Sequence, residues 1–461
     1  MSLKVLMLGW EYPPHIAGGL GIACHGLSES LKEEGVQITF VVPHLTGDED
    51  GSRVNLVSAS NVPITLASAE TRVTTTPRFA TSVTANTNEV NKTILVESTL
   101  SSYNLAHVEE SITEFQHWNN RILTEVNDTD HQTSTGYTKS TYNFRGGYGK
   151  DLLKEVSRYA EVVEEIARTE DFDIVHAHDW MTYPAGEAAS RVSGKPLVIH
   201  VHATEFDRAG DCGSEAVYEI ERSALEHADK VVAVSKWTAD VLVSRYNADP
   251  RRIHVVHNGV FQTTEDKERT FSPITDKVVT FLGRVTFQKG PEYFVDAAEK
   301  VVKEFPDCHF VMAGSGDGLP QMIHRVAKAG MSRNFHFTGF LNKKEIDRLL
   351  SFTNVYVMPS VSEPFGITPL EAIQANVPVI ISKQSGVSEV INNALKVDFW
   401  DTDALATSIS NVLKHKSLAD TLSKNARKDV STLTWNSAAK KVKRIYYETI
   451  STGLSARHAG S

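Results

Sequence analysis

"NVYVMPSVSEPFGITPLEA", residues 354–372, decides the fold of this chain. Its first residues are an apolar run that reads as a buried strand, and a helical pattern opens after Gly366. A strand that turns through Pro364-Phe365-Gly366 into a helix is one βα unit. The backbone N–H groups of Gly366, Ile367 and Thr368 then head that helix and form a seat for an anion. Yet Glu363 and Glu371 bracket the turn, where negative charge is unwelcome. The two carboxylates fit if they face hydroxyls, since each can accept from neighbouring O–H groups of a ribose or a sugar.

Working outward, the same unit recurs. "KVVTFLGR" (277–284), "CHFVMAGS" (308–315), "NFHFTG" (334–339) and "VPVIIS" (377–382) are further short strands separated by helical patterns. Upstream lie "LKVLMLGW" (3–10), "VQITFVVP" (36–43), "DIVHAHD" (173–179), "PLVIHVH" (196–202), "KVVAVS" (230–235) and "RIHVV" (252–256). Repeated βα units imply two doubly wound parallel sheets with helices on both faces, an α/β architecture. The polar, turn-rich stretch 257–276 reads as the linker. The expected domains are therefore 1–260 and 275–433, followed by a bracing helix and tail, 434–461. That helix puts Trp435, Ala438, Ala439, Val442, Ile445 and Tyr446 on one face. Residues from about 51 to 143 are rich in Ser, Thr and Asn and read as an insertion in the first domain. Two such domains hold a ligand in the cleft between them, where strand carboxyl ends and helix N-termini meet.

Composition excludes several classes. With 41% hydrophobic and 23% charged residues over 461 positions, the chain is globular. A net charge of -10 argues against a broad nucleic-acid or acidic-membrane surface. The start, "MSLKVLMLGWEYPPH", reads as a first strand rather than a signal peptide, and no apolar run is long enough to cross a bilayer. The expected compartment is the cytoplasm, where the sequons at Asn91 and Asn127 carry nothing. Cys24, Cys212 and Cys308 have neither zinc-ligand nor disulfide-framework spacing, and read as small buried hydrophobes.

A diphosphate beside two glutamates needs cations. Arg284 and Lys289 in "GRVTFQKG" come at the carboxyl end of the second half's first strand. Arg offers a fork and Lys a point charge. Each charge-assisted bond is worth roughly 1.5–3 kcal/mol, so the pair can offset a diphosphate without a metal ion.

Arg284 with Lys289, followed by "EPFGITPLE", resembles the donor site of the retaining GT-B glycosyltransferases, which include glycogen and starch synthases, sucrose-phosphate synthases and related group 1 enzymes. "WEYPPHIAGGLGIACHGLSESL", "HAHDW" and "HNGV" are similar to the same group, and the likeness covers nearly all the chain outside the insertion. It implies a metal-independent, retaining hexosyltransferase without cofactor. A nucleotide-diphosphate sugar such as UDP-glucose or ADP-glucose would donate, most naturally glucose, to a carbohydrate acceptor of the α-glucan kind. Arg284 and Lys289 would bind the diphosphate and stabilise it as it leaves. Glu371 would hold the ribose and Glu363 the sugar hydroxyls, with backbone contacts from Gly366, Ile367 and Thr368. Gly18 and Gly19 would let the first loop approach the phosphates, and His202 would line the sugar. The chain departs from the glycogen synthases of bacteria and plants at Ile16 and Ala17, where those carry Lys-Thr, and from many relatives at Phe261.

Other signals compete. His176 with His178, and His200 with His202, alternate along strands and so share a face, a spacing that can ligate a metal with Asp179 nearby; the other reading is histidines at strand ends that line the cleft or bond to backbone, and the same positions match a metal-free family. Gly19, Gly21 and Cys24 miss a dinucleotide fingerprint. "DFD" at 171–173 precedes a strand and reads as a turn. "AGSGDG" (313–318) either flanks the nucleotide or is a tight βα turn. Two other functions would use the same architecture: a sugar-nucleotide epimerase or hydrolase, and a non-catalytic carbohydrate- or nucleotide-binding protein.

Overall fold

The computed structural model describes residues 2–14, 18–49, 54–67, 137–146, 148–149, 151–262 and 277–459. The strands of the first half are β1 (Lys4–Leu8), β2 (Gln37–Val42), β3 (Asn55–Ser58), β4 (Ile64–Ala67), β5 (Tyr137–Ser140), β6 (Ile174–His178), β7 (Leu197–Val201), β8 (Lys230–Ala233) and β9 (Ile253–Val255). Those of the second are β10 (Val278–Leu282), β11 (His309–Ala313), β12 (Phe335–Gly339), β13 (Val355–Met358), β14 (Val379–Ser382) and β15 (Leu395–Val397). They form a seven-stranded sheet, β3-β2-β1-β6-β7-β8-β9, and a six-stranded sheet, β12-β11-β10-β13-β14-β15. Pairing within both is parallel, as in β1 with β6 and β10 with β13. The α/β, two-sheet architecture expected from the sequence is the one observed.

Helices cover both faces of each sheet, so the central strands are buried end to end, as parallel sheets require. Strand order reverses at β1 in the first sheet and at β10 in the second. At such a reversal, neighbouring loops leave in opposite directions and open a crevice at the carboxyl edge.

The Ser/Thr/Asn-rich segment is narrower as an insertion than its composition suggests. Asn55–Ser58 is the edge strand of the main sheet, in parallel register with Thr39–Val42. Four backbone residues pairing with an existing edge suffice for this, whatever the polarity around them. Antiparallel pairing of β4 with β5 then brackets residues 68–136, which lie outside the described residues, as does 263–276 of the expected linker. Cys24 and Cys308 are buried, whereas Cys212 is exposed, because its turn Gly210–Cys212 lies at the surface.

The last helix, Trp435–Ala459, leaves the second sheet and packs on the first. Trp435, Ala438, Ala439, Val442, Ile445 and Tyr446 share one apolar cluster with Val5, Met7, Leu27 and Leu31. Burying a large apolar side chain contributes about 1.5–3 kcal/mol, so this face fastens the chain's end to its beginning. Gly26 of helix Gly19–Glu33 makes the approach possible: a Cβ there would overlap the Trp435 indole. No helix among the described residues is long and apolar enough to cross a membrane.

Candidate active site

Register brings the second domain's two decisive loops together. Because Val279 pairs with Val355 and Thr280 with Tyr356, the chain leaves β10 and β13 side by side. Gly290 closes the first loop at φ +61, and a Cβ there would strike the Pro359 carbonyl, so only glycine admits this approach. Val361 N–H then donates to the Gln288 carbonyl at 2.9 Å. The docking places Lys289 Nζ 2.5 Å from Glu363 Oε2, which also accepts from Ser360 Oγ at 3.2 Å. Glu363 is only 6% exposed, so the lysine compensates a desolvated carboxylate.

Gly366 turns the chain at φ +100, and the helix that follows, Thr368–Gln374, is two turns long. So short a helix has a small summed dipole, and the seat at Gly366, Ile367 and Thr368 depends on the N–H groups themselves. Thr368 Oγ1 shares a 2.7 Å hydrogen bond with buried Tyr356 Oη. Glu371 receives Lys343 Nζ at 2.8 Å.

Arg284 behaves differently from the convergent pair read in the sequence. It is exposed, with Nη2 3.5 Å from Gln288 Oε1. Lys289 and Glu363 already neutralise each other, so a second cation gains more from water than from joining them. "AGSGDG" packs tightly on the loop that carries Arg284: a Cβ on Gly314 or Gly316 would overlap the Gly283 or Val285 backbone.

In the first domain, Gly18 caps helix Gly19–Glu33, and a Cβ on Gly18 or Gly19 would meet nothing within 4 Å among the described residues. His202 follows β7. Its N–H donates to Asp179 Oδ1 at 2.7 Å, and its Nε2 lies 2.9 Å from His178 Nδ1. Burial pulls the His202 imidazole below its ordinary pKa, opposed by Asp179, so the ring is neutral near pH 7. Asp179 holds φ +61, a left-handed conformation that aims its carboxylate back at the 202–203 backbone.

The two halves meet here. Thr204 and Asp207 form a capping box on helix Glu205–Ala209. Asp207 Oδ1 accepts from Ser362 Oγ at 2.5 Å, one residue before Glu363. Thr238 Oγ1 donates to the Pro364 carbonyl at 3.3 Å. Glu389 accepts the N–H groups of Lys236 and Trp237 at 2.9 and 2.6 Å, and His257 Nε2 lies 3.1 Å from it. Ile367 packs into the apolar cluster that contains Cys24 and Leu27. The loop carrying His202 therefore faces the loop carrying Glu363.

Behind it, Arg208 is surrounded by three buried carboxylates: Glu221 at 3.0 Å, Glu205 at 3.4 Å and Asp179 at 3.8 Å. One cation cannot balance three anions. Burial pushes Glu221 up to about 7, against the lowering pull of Arg208 and the Tyr246 hydroxyl.

Comparison with known proteins identifies the family and the fold. The model "Glycosyl transferases group 1" matches residues 262–429, "Glycosyltransferase Family 4" matches 135–261, and "Starch synthase catalytic domain" matches 4–73. An alpha-maltose-1-phosphate synthase of Mycolicibacterium smegmatis is 32% identical over 52% of this chain and 68% of its own. The chain belongs to the group 1 glycosyltransferases. An uncharacterized glycosyltransferase of Methanocaldococcus jannaschii is 26% identical over 96% of this chain and 98% of its own. Among solved structures, sucrose-phosphate synthase from Thermosynechococcus elongatus superposes with a TM-score of 0.68 at 16% identity, over 98% of this chain and all of that one. The glycosyltransferase thus has the GT-B arrangement of two facing α/β domains.

Within this glycosyltransferase, sequence reading missed Asp179 as an orienting residue, together with Asp207, Arg208, Glu221 and Glu389. One signal was present: "TEFD" (204–207) has the spacing of a capping box, which marks a helix start at the cleft. Glu389 and Glu221 act across long sequence separations, and no local pattern announces them.

Proposed function

We propose that this glycosyltransferase moves a hexose, most naturally glucose, from a nucleotide-diphosphate sugar to a carbohydrate hydroxyl with retention at the anomeric carbon. The observation that carries the reading is the contact of Lys289 with buried Glu363, on adjoining loops opposite His202. A diphosphate entering this cleft competes for Lys289 and draws in the exposed Arg284, while the released Glu363 accepts sugar hydroxyls. Glu371, now paired with Lys343, is the acceptor offered to the ribose diol. Gly366, Ile367 and Thr368 supply N–H donors, and Gly18 and Gly19 leave space for the phosphates. As the glycosidic bond breaks, positive charge grows on the sugar and negative charge on the diphosphate. Fixed cations act on the latter most strongly where water is excluded, so no divalent ion is needed for the chemistry. A neutral His202 lines the sugar as a hydrogen-bonding group.

The match to a starch synthase domain at 4–73, and a relative named for maltose-1-phosphate synthesis, favour an α-glucan or a related glucosyl acceptor. Cytoplasmic action fits such substrates.

The test is a panel of nucleotide sugars, each with and without maltooligosaccharides, read as free nucleotide and as the product's anomeric proton signals. Acceptor-dependent release with an α-linked product is expected. Release that ignores the acceptor would point to a hydrolase or epimerase, and binding without release to a non-catalytic protein.

A further inference from the structure

Three aromatic rings stand in a row along the carboxyl edge of the second sheet. β15 ends at Val397, and the turn that leads into helix Thr402–Lys414 reads Asp398-Phe399-Trp400-Asp401. A polar turn would complete this βα unit, since Asp401 already caps the helix by accepting the Ala404 N–H at 2.9 Å. The turn nevertheless carries two large aromatics. The Phe399 ring meets Tyr293 edge-on, with centroids 5.1 Å apart, and meets Trp400 at 4.8 Å. Trp400 is left 58% exposed, so core packing does not account for it.

The row adjoins the candidate site. Tyr293 stands in the first turn of helix Pro291–Glu304, and a Cβ on Gly290, the residue after Lys289, would come 3.0 Å from its ring. A polar wall runs beside the rings. Asp398 accepts from Lys383 Nζ at 2.7 Å and from Gln384 Nε2 at 3.0 Å, and the Gln384 carbonyl accepts the Glu363 N–H at 3.0 Å. The Trp400 turn is thereby linked to Glu363 through one residue.

The surroundings select the occupant. Around the turn, Asp398, Asp401 and Asp403 outnumber Lys300 and Lys383. On a chain of net charge -10, such a rim disfavours phosphate polymers and anionic lipid. A fully covered aromatic side chain buries about 150–250 Å². Three partly exposed rings therefore offer on the order of 300 Å², well short of the about 800 Å² per partner of a standard protein interface. A pyranose fits both elements of this surface. Its axial C–H groups form an apolar face the size of one ring, and its hydroxyls donate to carboxylates at the edge. Rings in a row suit successive residues of a sugar chain.

We propose that Tyr293, Phe399 and Trp400 form a docking platform for an α-glucan chain, at the rim of the cleft and outside the donor site. The choice of occupant rests on the proposed α-glucan acceptor. The platform binds without chemistry and needs no donor. A chain held there raises the local concentration of its free ends at the cleft. Long acceptors gain from this, whereas an acceptor too short to touch both places does not.

The experiment compares the full-length wild type with Trp400→Ala, whose exposed side chain can be removed without opening a cavity. Native electrophoresis through gels containing glycogen reads binding with no donor present. Initial rates with glycogen or with maltose as acceptor read transfer. Glycogen should retard the wild type, and its affinity for Trp400→Ala should be about ten-fold weaker. The KM for glycogen should rise about ten-fold in the variant, with kcat and the KM for maltose within about two-fold of wild type. A wild type whose mobility ignores glycogen, or equal retardation of both proteins, would overturn the platform. Self-association of the wild type that Trp400→Ala abolishes, read by sedimentation, would overturn it too and assign the rings to a second copy. Retardation that needs Trp400, without transfer to either glucan, would keep the platform and reject the α-glucan acceptor. Transfer to glycogen that is indifferent to Trp400 would do the reverse.

Discussion

Glu221 offers a sharp test of the electrostatics behind the cleft. It shares Arg208 with Glu205 and Asp179, and burial raises its pKa from an ordinary 4.5 to about 7. The folded protein therefore binds a proton at Glu221 that the unfolded chain does not bind between about pH 4.5 and 7. Stability from this group is fully present below the unfolded value and is lost as pH rises through the folded one. At 1.36 kcal/mol per unit, the wild type should gain about 2 kcal/mol from this residue alone between pH 8.5 and 5.5. Other groups titrate over the same range, so the useful quantity is a difference of differences. Urea unfolding of wild type and Glu221→Gln, each at pH 8.5 and 5.5, isolates the residue. Glutamine resembles the protonated acid in shape and keeps acceptors for the Glu205 N–H and the Tyr246 hydroxyl. The variant should lack the gain of about 2 kcal/mol, with the two curves converging at low pH. Parallel curves across this range would refute the reasoning and show Glu221 to be ionised throughout.

Three further outcomes follow from the packing and the cleft. Trp435→Ala should cost about 3–5 kcal/mol in unfolding free energy, because a buried indole leaves a cavity that Gly26 cannot fill. Lys289→Ala should lower turnover at saturating donor by two orders of magnitude or more. It should also destabilise the fold by about 3 kcal/mol, since Glu363 stays buried without its cation; adding Glu363→Gln should restore stability but not turnover. Gly386→Ala should prop the domains apart, because a Cβ there meets both the Pro364 carbonyl and Ser235. Small-angle scattering should register a larger radius of gyration, and an unchanged radius would mean the interface relaxes around the methyl group.

Much of the architecture could be read from local pattern. Most strands of the two sheets are short apolar runs followed by a glycine or polar turn, and that pattern survives without knowledge of the neighbours; Asn55–Ser58 and Leu395–Val397 are not such runs. The placement of Glu363, Gly366 and Glu371 around one βα turn was legible for the same reason, since they are close in sequence. Two features were not legible. The pairing of Asn55–Ser58 with β2 depends on backbone at a sheet edge and leaves little trace in side-chain type. The seating of Arg284 depends on whether Lys289 reaches Glu363 first, a competition settled across 74 positions of sequence.

Each half of this molecule keeps part of its hydrophobic interior in the other half's stretch of chain. The helix that completes the first domain's apolar cluster is encoded after the whole second domain. During synthesis the first domain must wait for the last residues before that surface is covered. A single nick between residues 262 and 277 would yield two fragments that stay together, since residues 435–446 of one are embedded in the other.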